Sequence, residues 1–163
     1  MKMFSYLDKV NSILRNDSDL WKLLYYKSDN YNDNPLDKPD ILALPPAEQY
    51  PIINKRLKHT PSTSDLVEEQ LCRIIFYPAR RSPSSSFNYA TATQEITFDV
   101  FVHADYNDTD MRLSKICDHL NDLIFDKKIS NLGTAKLRSA QPFILEEQGY
   151  IGYTMTYELG SVS

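Results

Sequence analysis

The sequence predicts an α+β fold: an antiparallel or mixed sheet of about four strands packed by an amphipathic helix, with an N-terminal helix and a proline-rich extended arm. Three observations lead there. Residues 94–103 alternate, placing Ile96, Phe98, Val100 and Val102 on one face and Glu95, Thr97, Asp99, Phe101 and His103 on the other, as a strand with one buried face requires. Met111, Leu113, Ile116, Cys117, Leu120, Leu123 and Ile124 then recur at helical spacing, a stripe fit to cover a sheet. Finally, Ile151, Tyr153, Met155, Tyr157 and Leu159 alternate with Gly152, Thr154, Thr156 and Glu158, closing the sheet with a second two-faced strand.

The elements follow in order. Phe4, Leu7, Val10, Ile13 and Leu14 predict a helix within 3–26, with a restart where Asp17 or Ser18 caps a turn carrying Leu20, Leu23 and Leu24. Trp21, Leu24, Tyr25 and Tyr26 form its aromatic patch, suited to core packing or to anchoring a partner. Residues 28–64 carry six prolines, which argue against a continuous helix or a central strand. Ile41, Leu42, Leu44, Ile52, Ile53 and Leu57 are nevertheless too apolar for a solvated linker. Two readings stand: an arm lying on this or a neighbouring subunit, with a short turn near 48–50, or an insertion folded on the chain's own core. A strand over 66–77 is expected to stop at Pro78, and 78–88 reads as a flexible basic loop leading into the long strand.

Asp108, Thr109 and Asp110 are cap candidates for the amphipathic helix. Strands are expected at 135–140, at 143–146 beyond Pro142, and at 150–159, with Gly149 taking positive φ in the last hairpin. At 163 residues and 42% hydrophobic content, this is one domain, 1–163, with a core able to fold unaided. It divides into a helical N-terminus (1–26), the proline-rich segment (28–64) and an α+β core (65–160).

Charge excludes little and suggests something. The formal net charge is −4, no footprint for nucleic acid. Residues 1–60 hold 9 Lys/Arg against 8 Asp/Glu, while 61–163 hold 9 against 14, so the folded half is acidic. Cys72 and Cys117 each sit in an apolar segment and read as buried free thiols. The start acquires charge at Lys2 and Asp8, too soon for a secretory signal, and no apolar run reaches membrane-spanning length. Folding in a reducing cytoplasm is the expectation.

Catalytic constellations are weak. His103, Asp105 and His119 have metal-ligand chemistry but lack motif spacing and further converging ligands. Neither cysteine stands in a nucleophile motif. Glu68-Glu69 and Glu146-Glu147 are adjacent, an arrangement that turns strand neighbours to opposite faces. The four glycines form no phosphate loop. No catalytic residue, cofactor or metal is expected.

The order helix, hairpin, helix, hairpin resembles the tail-terminator and head-to-tail joining proteins of tailed bacteriophages. The likeness is carried by Glu95–Val102, Asp110–Leu123 and Gly149–Leu159 and spans about 66–160. It implies a non-enzymatic α/β subunit of the virion tail or neck, assembled in the host cytoplasm. Such subunits form a homo-oligomeric ring, usually sixfold, that caps the tail tube and meets neck proteins. The segment 28–64 is longer than such proteins need, which an arm reaching a neighbour would explain. Heterologous ring contacts need two different complementary surfaces. The expected contact residues are Arg80, Arg81, Phe87 and Tyr89 in the loop, with Ile41, Leu42 and Leu44 in the arm. The competing class is a stand-alone phage or bacterial module that binds a host protein through its tyrosine-rich surface.

Overall fold

The computed structural model describes residues 2–162, apart from the side chains of Asn88, Tyr89 and Glu147. The chain runs α1 (Met3–Arg15), α2 (Ser18–Tyr25), α3 (Pro46–Arg56), β1 (Leu57–Lys58), β2 (Cys72–Ser85), β3 (Asn88–His103), α4 (Ala104–Asp110), α5 (Arg112–Ile124), β4 (Leu132–Leu145) and β5 (Tyr150–Val162). Among the described residues the sheet has five strands in the order β1-β2-β3-β5-β4. All neighbours pair antiparallel except β1 with β2, which makes the sheet mixed. The α+β class is as the sequence predicts, with the short β1 as an additional strand.

Alternation in β3 and β5 divides the molecule into a helical layer and an open sheet face. Ile96, Phe98, Val100 and Val102 are buried beneath the helices with Met155, Tyr157 and Leu159. Val10 and Leu14 of α1, Leu20 and Trp21 of α2, and Ile116, Leu120 and Ile124 of α5 complete that core. Asp17 caps α2 as expected, accepting from the Leu20 amide at 2.7 Å. Trp21 belongs to the core, and its Nε1 donates to the Leu14 carbonyl at 3.0 Å. A smaller cluster, Leu66, Leu71, Ile75, Phe101 and Tyr150, closes one end of the other face.

Several local expectations are corrected. Of the two readings of the proline-rich segment, the insertion folded on the chain's own core is the one found, and the extended arm is not: it packs through two 3-10 turns, Pro35–Asp37 and Ile41–Ala43, and α3. Pro46 stands in the first turn of α3, where its missing N–H removes no helical bond. Pro51 lies inside the helix and does remove one. Burial of Ile53 and a bond from Arg56 Nε to the Leu24 carbonyl (3.2 Å) hold α3 in place.

Residues 64–67 form a 3-10 turn, so β2 begins only at Cys72 and continues through Pro78 to Ser85. A register shift between Pro78 and Arg81 accommodates the proline. Because β1 covers only Ile74 and Ile75, the rest of β2 is a sheet edge, where proline is tolerated. The expected flexible loop is therefore a β-hairpin, closed by the pair Ser85–Asn88. Pro142 likewise lies within a single strand, because β4 is the other edge. Gly149 takes φ +71°, as the turn requires.

The amphipathic helix is preceded by α4 and starts after Met111, whose φ of +55° places it in the left-handed region. That kink turns Asp110 and Arg112 inward rather than leaving Asp110 as an exposed cap. Both side chains are fully buried, with Arg112 Nη2 and Asp110 Oδ2 3.0 Å apart. Arg112 also donates through Nη1 to the Leu23 carbonyl at 2.7 Å and to the Tyr26 carbonyl. Arg56 and Arg112, from two other helices, thus satisfy the free carbonyls and the negative dipole end of α2.

Arg73 is a second buried cation, held by Asp65 at 2.7 and 2.8 Å and by the Lys55 carbonyl at 2.8 Å. The Arg73 hydrogen bond holds the Asp65 carboxyl below its ordinary value. A carboxyl depressed by folding adds stability above its unfolded value, about 3.9, and that stability is lost as pH falls through the folded value. Asp65 is 58% exposed, which limits the contribution to about 1 kcal/mol. Asp65→Asn is therefore expected to flatten the acid limb of stability between about pH 5 and 3. Urea melts across pH check this, and an unchanged acid limb would disprove the assignment.

Candidate interaction surfaces

Two surfaces stand out: the β2–β3 hairpin and the open sheet face. At the hairpin, the last rung shared with β5 is Thr91–Val162, and Pro83 still pairs with Ala92 inside the sheet, so residues 85–90 extend past it as a two-stranded projection. Its turn exposes Phe87, which is 94% accessible. Arg80 is exposed and bonds its own Ser82 at 2.9 Å. Arg81 is half-buried and acts inside the subunit. It donates to Ser161 Oγ (3.0 Å), Gln94 Oε1 (3.3 Å) and the Val162 carbonyl (3.0 Å). Ser161 in turn bonds the Tyr6 hydroxyl at 3.2 Å. The Tyr89 side chain lies outside the described residues.

The arm residues do not come together with the hairpin. Ile41 is fully buried, and Leu42 and Leu44 pack half-buried against the same core. They fill the subunit's interior because the Asp40 side chain caps the 3-10 turn that carries Ile41 and Leu42, accepting from the Leu42 amide at 2.9 Å. Beneath α1, Phe4, Leu7, His59, Phe76 and Pro78 line a largely apolar hollow of about 250 Å³.

On the open face, a groove of about 340 Å³ is lined by Pro61, Thr63, Tyr77, Asp99, Phe101, Phe143, Leu145 and Thr154. Strand register assembles it, since Asp99 lies opposite Thr154 on β5 and next but one to Phe101 on β3. Asp99 accepts from the Tyr77 hydroxyl at 2.9 Å and the Thr154 hydroxyl at 2.7 Å. Burial and the adjacent Asp99 push the Tyr77 phenol up to about 12. Phe143 stands edge-on to Phe101, 4.9 Å between centroids, and its ring occupies the space a Cβ at Gly152 would need. Sequence parity places Asp99 and Phe101 on one face, but the register that adds Thr154, Tyr77 and Phe143 is not readable from local pattern.

The residues weighed for chemistry are dispersed. His119 pairs with Asp17 at 2.6 Å, whereas His103 Nδ1 accepts from the Asp105 amide at 3.2 Å. Burial raises both thiols, Cys72 and Cys117, to about 12, leaving them protonated at neutral pH and poor nucleophiles. Among the described residues no helix is long and apolar enough to cross a membrane.

The YomW family model matches residues 17–159 of this chain. The chain belongs to the YomW family. It is similar to the SPbeta prophage-derived uncharacterized protein YomW of Bacillus subtilis (strain 168), with 30% identity over 169 residues covering 95% of each chain. This kinship supports a phage origin, the broader part of what the sequence resemblance implies. The YomW match runs from the cap of α2 into β5. It therefore contains the hairpin, the groove and the Asp110–Arg112 pair, while α1 lies outside it.

Proposed function

We propose that this chain is a non-enzymatic structural subunit of a tailed phage, a tail terminator or tail-to-head joining protein that assembles into a closed ring, sixfold as in the proteins it resembles. Its neighbours are copies of itself, the tail tube and the neck proteins, and its place is the virion tail. One observation carries the ring reading. The chain has an apolar projection, Phe87 at the hairpin turn, and a separate apolar hollow beneath α1. A knob and a hollow on different surfaces of one molecule suit a head-to-tail contact, which closes into a ring when the rotation permits.

Native mass across a concentration series, with negative-stain images of the same fractions, tests this. Closed rings of about six copies are expected, in keeping with closed cyclic symmetry. Burying a phenyl side chain contributes about 1.5–3 kcal/mol, so Phe87→Asp is expected to weaken association by tenfold or more while leaving the fold intact. A strict two-fold dimer, or a monomer that fails to cap purified tail tubes, would overturn the ring and favour a stand-alone module binding a host protein.

A further inference from the structure

We propose that the groove on the open sheet face is a receptor for an arginine side chain presented by a protein partner other than a second copy of this chain. The argument begins with charge on that face. Glu95 and Glu158 already bracket Arg138 there, at 3.0 and 3.2 Å, which shows how this surface seats a guanidinium. Asp99 is half-buried and has hydroxyl partners but no cationic one among the described residues. The Tyr77 and Thr154 hydroxyls each take one lone pair, on different oxygens. Both oxygens keep capacity for a further donor.

Two oxygens fixed in this way match the paired N–H groups of a guanidinium better than the point charge of an ammonium. The walls add to that preference. Phe101 and Phe143 supply aromatic surface, on which a planar guanidinium stacks favourably. Leu145 and Pro61 extend the apolar rim, able to cover the methylene stem of the side chain. Gly152 lets the Phe143 ring lie down against β5 and so shapes the groove.

The occupant follows from topology. The exposed arginine of this chain nearest the groove in sequence, Arg80, bonds Ser82. It therefore shares the groove's side of the sheet, five residues from Ile75, which pairs with Asp99. At about 3.3 Å per residue that is roughly 15 Å along the strand. Arg80 and Asp99 of two copies would then pair reciprocally, face to face, and close a two-fold dimer. A head-to-tail ring leaves the groove for a different protein. This choice of partner rests on the ring reading, whereas the site itself does not.

An NMR titration of the full chain with acetyl-arginine methylamide tests the site, with the lysine and norleucine analogues as comparators. Saturable shifts confined to the amides around Tyr77, Asp99, Phe101, Phe143 and Thr154 are expected, tighter for arginine than lysine and absent for norleucine. Asp99→Asn is expected to weaken arginine binding about tenfold or more, with amides outside the groove unmoved. Gly152→Ala, which displaces Phe143 and leaves Asp99, is expected to erase the preference for arginine over lysine. Absence of saturable shifts, or shifts unchanged by Asp99→Asn, would overturn the site whatever the oligomeric state. A native dimer that dissociates in Arg80→Glu would overturn the choice of partner and assign the groove to a second copy.

Discussion

Asp110→Ala is expected to destabilise the protein by about 3–5 kcal/mol, the cost of leaving a buried charge without its counter-ion. Removing the carboxylate strands the Arg112 guanidinium at zero exposure. It also takes an acceptor from Ser28, whose hydroxyl donates to Asp110 at 3.2 Å and accepts from Arg112 at 3.0 Å. Lys115, at 3.4 Å, is on the surface and cannot replace a carboxylate. The damage extends beyond one pair, because Arg112 holds the C-terminal carbonyls of α2. Replacing both partners is expected to cost less than the sum of the single changes by about 2 kcal/mol, a coupling typical of residues in one network. Urea unfolding of the two single variants and the double variant checks this. Losses below about 1 kcal/mol for Asp110→Ala, the range of an exposed pair, would show that the pair is not the fastening described.

Much of this architecture is legible in the sequence because it depends on period. The two-residue alternation of 94–103 and 150–159 fixes which residues lie beneath the helices, and Phe98, Met155 and Tyr157 are found there. The Asp17 cap is local and equally legible. What stays hidden depends on distant partners. Asp110 reads as an exposed cap until Leu23, Tyr26 and Ser28 are brought beside Arg112 from more than 80 residues away. Prolines 78 and 142 read as strand breaks because their tolerance depends on whether a neighbouring strand lies alongside. The proline-rich segment hides α3 because burial of Ile53 compensates the bond that Pro51 removes. The interaction surfaces divide in the same way. Phe87 is visible as an apolar residue in a polar turn, whereas Arg81 reveals its internal role only once Ser161 and Tyr6 are in place.

The core makes a second prediction of similar size. Phe98→Ala is expected to cost about 3–5 kcal/mol, the range for emptying a buried aromatic site. Phe98 lies in β3 between β2 and β5, with no exposed surface. Its ring stacks on Phe76, 5.7 Å between centroids at 23°, and meets Tyr157 edge-on at 5.6 Å and 89°. Those pairs add to the burial itself, by roughly 0.5–1.5 kcal/mol each. Tyr157 then bonds Asn121 of α5 at 2.7 Å, so the trio links three strands to the covering helix. Phe98→Leu keeps most of the volume and is expected to lose less than half as much. In urea melts the midpoint is expected to fall with the slope unchanged, the sign of lost stability without a change in surface exposed on unfolding. A loss for Phe98→Ala no larger than that for Phe98→Leu would mean that apolar filling contributes little and that the aromatic contacts themselves hold the layers together. Because Phe76 also forms a wall of the hollow beneath α1, the same substitution is expected to weaken ring formation in whatever fraction remains folded. Phe87→Asp should weaken the ring without lowering the urea midpoint, and this contrast separates an interface residue from a core residue.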